Sequence, residues 1–186
     1  MPITIRLADP ARDAAAVADV YRPYVEQTPI SFELEPPNAA EMQSRMEKVL
    51  ARLPWLVAEQ SSELVGYAYA GQHKERAAYD WSADISVYVR IDRHRQGVGT
   101  ALYGALLDVL RELGYVNVYA GITLPNPGSV GLHESIGMRH LGTYRRVGWK
   151  MGAWWDVGWW ELRLVEPSGE PSPPLSIHEL PADGRG

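Results

Sequence analysis

Residues 82–114 read S-A-D-I-S-V-Y-V-R-I-D-R-H-R-Q-G-V-G-T-A-L-Y-G-A-L-L-D-V-L-R-E-L-G. Over 82–90 the alternation predicts a strand with Asp84, Ser86 and Tyr88 on one face and Ile85, Val87 and Val89 on the other. Val98, Leu102, Leu106, Val109, Leu110 and Leu113 then recur at helical spacing, and Gly114 supplies the stop. Between them lies R-Q-G-V-G-T at 95–100, a glycine-bearing turn entering a helix, where unpaired backbone N–H groups and the helix dipole favour an anion. Arg90, Arg93 and Arg95, with His94, add local positive charge; a solvated basic turn is the alternative reading of this stretch alone. A dinucleotide fingerprint would need glycine where Leu102 stands, and a phosphate loop of the G-K-S/T kind fails because Thr100 and Ala101 follow Gly99.

Outward from this unit the chain alternates strands and helices. Residues 3–7 form a strand, and Val17, Val20, Tyr21, Tyr24 and Val25 mark a helix that Pro23 is expected to disturb. Asn38 with Glu41 makes a capping-box start for a helix carrying Met42, Met46, Val49, Leu50 and Leu53. Trp55 to Glu59 and Leu64 to Gly71 read as a hairpin across Q-S-S-E. A strand at 116–121 leads to Asn126, a cap with Pro127 at the first helical position and Gly137 past the end, before two strands near 139–147 and 156–164. One domain over 1–165 is expected, followed by a loosely packed Pro/Gly/Ser-rich tail over 166–186, which holds five prolines and three glycines.

Composition removes several function classes. A formal net charge of −5 argues against broad nucleic-acid binding, which needs phosphate neutralisation. With no cysteine there is no disulfide framework, thiolate metal site or cysteine nucleophile, and H-E-S-I-G at 133–137 lacks the second histidine of a zinc protease, so no metal site is expected. No signal peptide or membrane span is legible, which predicts a soluble cytoplasmic protein with no membrane partner. Asp84, beside the anion turn, is a candidate general base, against the blander reading of a solvated or salt-bridged carboxylate. Asn126 and His133 stand two helical turns apart and are expected to line one cleft, although a lone histidine is more often structural. Trp149, Trp154, Trp155, Trp159 and Trp160 crowd the C-terminal strands, ranked as core first, subunit interface second and pocket lid third.

Several separated motifs resemble the GCN5-related N-acetyltransferases (GNAT), in their phosphinothricin acetyltransferase branch. They are P-W-L-V-A-E at 54–59, A-Y-D-W at 78–81, V-Y-V at 87–89, G-I-T-L-P-N at 121–126, L-H-E-S-I-G at 132–137 and V-G-W-K-M-G-A-W-W-D-V-G at 147–158. The resemblance covers about residues 3 to 165 and implies an α/β (α+β) fold with a mixed, mostly antiparallel sheet, splayed at a cofactor cleft and flanked by helices. It implies acetyl-CoA as cosubstrate, held by the backbone of Val87, Tyr88 and Val89, by the turn Arg95, Gln96, Gly97, Val98, Gly99 and Thr100, and by Asn126. It further implies Asp84 as base and His133 as partner of the departing thiolate or proton relay; Lys74 and Arg76, two cations just before the strand, are expected with Tyr79 to meet the substrate's anionic groups, and Phe32 and Ser86 complete the expected substrate-binding residues. The implied acceptor is the α-amino group of a small amino-acid analogue of the phosphinothricin, methionine sulfoximine or methionine sulfone type, and the implied assembly is a homodimer. Another amine acceptor and a silent acetyl-CoA-binding module are the alternatives. Two departures stand out: His94 occupies the family's Q/R position, and Asp84 replaces the branch's usual glutamate, one methylene longer.

Overall fold

The computed structural model describes residues 2–180. Asp9 accepts from the amides of Ala11 and Arg12, and Pro10 opens helix α1 (Pro10–Glu26) after strand β1 (Thr4–Leu7). The predicted break at Pro23 does not occur: a proline near the end removes only its own N–H, and Gln27 N–H still reaches the Pro23 carbonyl. Helix α2 (Ala39–Leu50) starts at the Asn38 cap as its sequence predicts. Strands β2 (Trp55–Gln60) and β3 (Glu63–Gln72) join through Ser61 and Ser62, both at positive φ, which matches the right-handed twist of a tight hairpin. Strand β4 (Ser82–Val89), helix α3 (Val98–Glu112), strand β5 (Asn117–Leu124) and helix α4 (Pro127–Ser135) follow, then the hairpin of β6 (Arg139–Lys150) and β7 (Ala153–Arg163). That hairpin is longer than expected because Met151 and Gly152, both at positive φ, turn the chain within two residues.

The seven strands form one sheet in the order β1-β2-β3-β4-β5-β7-β6, antiparallel except for β4 beside β5. Side chains alternating through it build two cores. Trp55, Val57 and Tyr67 meet α1 and α2 through Val17, Met42 and Met46 on one face; Leu56, Val65 and Ile85 meet α3 through Leu102, Leu106 and Leu110 on the other. Gly66 allows the close approach of α3, since a Cβ there would stand 2.9 Å from the Tyr88 carbonyl and 3.2 Å from Val98. No helix among the described residues is long and apolar enough to cross a membrane.

Two expectations need correction. Of the five C-terminal tryptophans only Trp160 is core, while Trp149 and Trp154 are 57% and 58% exposed. The tail is not loose through 172–180. Ile177 is fully buried and Leu180 nearly so, Leu175 N–H reaches the Leu113 carbonyl, Ile177 N–H reaches the Arg52 carbonyl, and Trp81 Nε1–H reaches the Ser172 carbonyl. Ser176 and Glu179 close a reciprocal capping box around that turn. A proline-rich segment needs only two well-placed apolar side chains to dock on an existing core, which composition alone does not register; residues 181–186 of the expected tail lie outside the described part. Ile177→Ala should cost about 2–4 kcal/mol by denaturant unfolding, and a change within about 0.5 kcal/mol, the range of ordinary surface substitutions, would restore the loose-tail reading.

Candidate active site

Strands β4 and β5 pair at Ser82↔Asn117, Ala83↔Val118 and Asp84↔Tyr119, and then diverge. Beyond that point β4 continues against β3 and β5 against β7, so a gap opens in the middle of the sheet. Arg90 N–H donates to the Val65 carbonyl, which sets the antiparallel phase: Asp84, Ser86 and Tyr88 bond to β3, whereas Val87 and Val89 direct their N–H and C=O groups into the gap. A cleft of about 810 Å³ fills it, walled by Val87, Val89, Gly97, Gly99, Asn126 and Leu132 among others.

The turn before α3 forms the outer end of this cleft. Arg95 at φ 60° and Gly97 at φ 82° wrap the backbone so that the first amides of α3 face outward. Gly99 lets α4 approach, because a Cβ there would lie 3.0 Å from Leu132. Tyr24 anchors the turn to α1: its hydroxyl donates to the Val89 carbonyl at 2.5 Å, and His94 Nε2–H lies 2.6 Å from the same hydroxyl. The positive charge is smaller than the arginine count suggests, since Arg90 bonds Asp92 and Glu63 and Arg93 lies 3.6 Å from both carboxylates. Among the three arginines of this stretch, Arg95 is the cleft-lining cation without a described ion pair, and Gln96 instead bonds the Asp92 carbonyl.

At the fork of β4 and β5 stands Asp84, in the last pair before the strands separate. His73 Nδ1 lies 2.7 Å from its Oδ1, and the imidazole stacks on Tyr119 at 4.4 Å with its edge toward Tyr79 at 6.0 Å. Burial raises the Asp84 carboxyl above its ordinary range, opposed by the His73 hydrogen bond and by the charge of Lys74. A second cavity of about 420 Å³ is lined by Gln72, His73, Lys74, Glu75, Arg76 and Tyr79, so the predicted substrate residues Lys74, Arg76 and Tyr79 do share one pocket.

The profile of the acetyltransferase (GNAT) domain family matches residues 5–159. The chain belongs to the GNAT family. It is similar to a phosphinothricin N-acetyltransferase of Streptomyces viridochromogenes, 42% identical over 96% of this chain and 97% of that protein. An L-methionine sulfoximine/L-methionine sulfone acetyltransferase of Salmonella typhimurium is 31% identical over 88% and 96%. The crystal structure of a GNAT superfamily phosphinothricin acetyltransferase from Sinorhizobium meliloti in complex with acetyl-CoA superposes with a TM-score of 0.88, at 29% identity over 94% of this chain and 96% of that one. The GNAT acyltransferase described here, with its mixed, mostly antiparallel open sheet, shares the fold of that structure.

Within this GNAT enzyme some expected site residues sit elsewhere. His133 is 4% exposed and is not among the cleft walls. Its Nδ1–H donates to the Ser129 carbonyl at 2.7 Å, leaving Nε2 to accept from the Tyr103 hydroxyl at 2.8 Å. The histidine clasps α4 to α3. The two-turn rule failed because Asn126 is a cap with non-helical backbone, φ −148° and ψ 74°, so helical phase does not extend back to it. Asn126 does line the cleft, while its side-chain oxygen accepts from Ser129 N–H. Tyr88 borders the cleft, but its backbone groups bond β3 rather than face the gap, so the expected backbone contact from Tyr88 is not offered; its ring packs edge-on against Tyr21 and Tyr24. Ser86 lies opposite Tyr69 in the ladder. Phe32 lines neither cavity, its ring resting on Gly148 of β6. His73 escaped sequence reading because it sits in a polar run, and only the closing of β3 against β4 brings it to Asp84.

Burial lowers the His133 pKa, opposed by the Ser129 carbonyl, so the unfolded chain binds the proton more readily. This contribution to stability is complete above the unfolded value of about 6.5 and is lost as pH falls below it. His133→Gln should therefore flatten the drop in unfolding free energy between about pH 7 and pH 5. An equally steep drop in the variant would assign the acid sensitivity to other groups.

Proposed function

We propose that this enzyme transfers the acetyl group of acetyl-CoA to the α-amino group of a small zwitterionic amino-acid analogue of the phosphinothricin or methionine sulfoximine/sulfone type. The observation that carries the proposal is the fork of β4 and β5 at Asp84, whose carboxylate His73 contacts from the wall of the second pocket. The cleft between β4 and β5 offers strand amides and helix N–H groups to an extended phosphorylated ligand, and the second pocket gathers Lys74 and Arg76 with His73.

Acetyl-CoA, when bound, supplies an activated thioester. In this reading the backbone groups of Val87 and Val89 hold the pantetheine arm as an added strand would, and an amide of the same edge stabilises the oxyanion of acyl transfer. The pyrophosphate rests on the turn from Arg95 to Thr100, where geometry rather than net charge does the binding, helped by Arg95. Asn126 flanks the arm. Lys74 and Arg76 meet the acceptor's carboxylate and side-chain oxyanion, with Tyr79 as a wall, while the negative Asp84 draws the ammonium toward the thioester. Direct attack needs no covalent enzyme intermediate. The names of the Streptomyces and Salmonella relatives support the acceptor class.

The homodimer belongs to the same proposal. Leu141, Tyr144, Val147, Trp149, Met151 and Trp154 are each more than half exposed on the β6–β7 hairpin, an apolar surface that monomers rarely leave in water. A second copy of the chain covers it in this reading.

Steady-state kcat/KM on phosphinothricin, methionine sulfoximine and methionine sulfone, beside a polyamine and a short peptide, tests the acceptor class. The three analogues should be preferred. Arg76→Lys should raise their KM, because lysine keeps the charge but loses the two-point contact. Preference for the polyamine or peptide overturns the reading. Light scattering should give twice the chain mass, and a monomer at micromolar and higher concentrations would remove the dimer.

A further inference from the structure

Resting on the acetyl-transfer reading above, we propose that His73, oriented by Asp84, is the group that takes the proton from the acceptor's ammonium. Asp84 lies at the fork of β4 and β5, and His73 lies in the wall of the pocket that holds Lys74 and Arg76. An ionised carboxylate only accepts, so the 2.7 Å contact fixes the proton on Nδ1 and leaves Nε2 with its lone pair. No hydrogen bond to Nε2 exists among the described residues. Stacking on Tyr119 and edge contact with Tyr79 hold the ring plane, and the His73 side chain is 16% exposed.

A general base works best when its pKa lies near the working pH, and a free imidazole, at about 6.5, is nearer to it than a free aspartate, at about 3.9; burial raises Asp84 from its ordinary value and narrows that difference. The charged surroundings of the ring come from every element around it. Asp84 of β4 stabilises the imidazolium, and Glu161 of β7 lies opposite Tyr119 in the ladder; Lys74, Glu75 and Arg76 share the pocket wall, and Tyr79 and Tyr119 are the titratable hydroxyl-bearing neighbours. Asp84 then has the role of an orienting anion that supports the positive ring without accepting the proton itself.

The step balances. Nε2 takes one proton of the ammonium, and the freed nitrogen lone pair forms the C–N bond at the thioester carbonyl carbon. The C–S bond breaks with its electron pair on sulfur. The amine nitrogen loses a second proton as the amide forms; one of the two released protons ends on the thiolate, and the other leaves for solvent from the imidazolium.

His73→Asn separates this role from mere positioning. Asparagine can present an N–H near the place of Nδ1 and keep Asp84 bonded, but it has no basic nitrogen. If His73 accepts the proton, kcat on the preferred amino-acid analogue falls by about 10²- to 10⁴-fold near pH 7. The acid limb of the pH profile disappears with it, acetyl-CoA affinity by calorimetry is unchanged, and added imidazole restores part of the rate to His73→Gly. Asp84→Asn should move the acid limb of the remaining activity downward, because the imidazolium loses its counter-charge. A His73→Asn enzyme with the parent's rate and pH profile overturns the proposal and leaves the carboxylate as sole base. An imidazole titration by NMR that is the same in the parent and in Asp84→Asn overturns it as well, and needs no turnover. Failure of the parent itself to acetylate any amino-acid analogue is a separate result that removes the acceptor reading.

Discussion

The fold depends on a sheet that is allowed to come apart in its middle. Three parallel pairs hold β4 to β5, and the separation that follows strips hydrogen-bond partners from two central strands, a costly act for buried backbone. The sheet survives because each strand keeps its other neighbour: β4 is paired with β3 through Val89, and β5 with β7 through Leu124. Part of the exposed edge is also satisfied locally, since Tyr24 and His94 share the Val89 carbonyl. What remains is an amide edge that water or an extended polar ligand must satisfy, and that need is the physical origin of the binding cleft.

Electrostatics follows from this geometry rather than leading it. A chain of net charge −5 would repel a polyphosphate at long range, and two of the three arginines in the turn region already face Asp92 and Glu63. Any attraction for an anion at the α3 end would therefore be short-ranged, from the N–H groups that follow Arg95 and Gly97 in left-handed conformations. The second pocket has Lys74 and Arg76 exposed on a surface loop with Glu75 between them. In the proposed function such a pair would favour a ligand with two separated negative groups over one with large total charge.

Local periodicity made most of the elements legible. Alternation in 82–90, helical spacing in 98–113 and the Asn38 and Asn126 caps all report rules that act within a few residues, and the structure keeps each of them. What local rules missed is long-range. Ile177 finds its place only because Arg52 and Leu113 present carbonyls at one groove. His133 turns inward because Tyr103, thirty residues earlier, needs a partner. His73 becomes interesting only when β3 folds back on β4 and carries it to Asp84. Helix stability at Pro23 belongs to the same class, since packing of Tyr24 and Val25 outweighs one missing hydrogen bond.

The segment between α1 and α2 joins these parts. Tyr21 and Ser31 share a hydrogen bond of 2.6 Å, Glu33 receives both arms of Arg45, and buried Lys150 donates to the Val25 and Ser31 carbonyls. An ammonium at that place serves the exposed carbonyl end of α1 as a cap, which offsets the cost of burying its charge. Through Lys150 the end of β6 is tied to the segment that puts Ile30 in the cleft wall and Phe32 on Gly148. The β6–β7 hairpin, whose outer surface carries the exposed tryptophans, is thus mechanically continuous with one wall of the cleft. A partner resting on that hairpin, as the proposed second copy would, bears on the cleft wall only through Lys150 and Phe32, the two side chains that connect the hairpin to the segment holding Ile30.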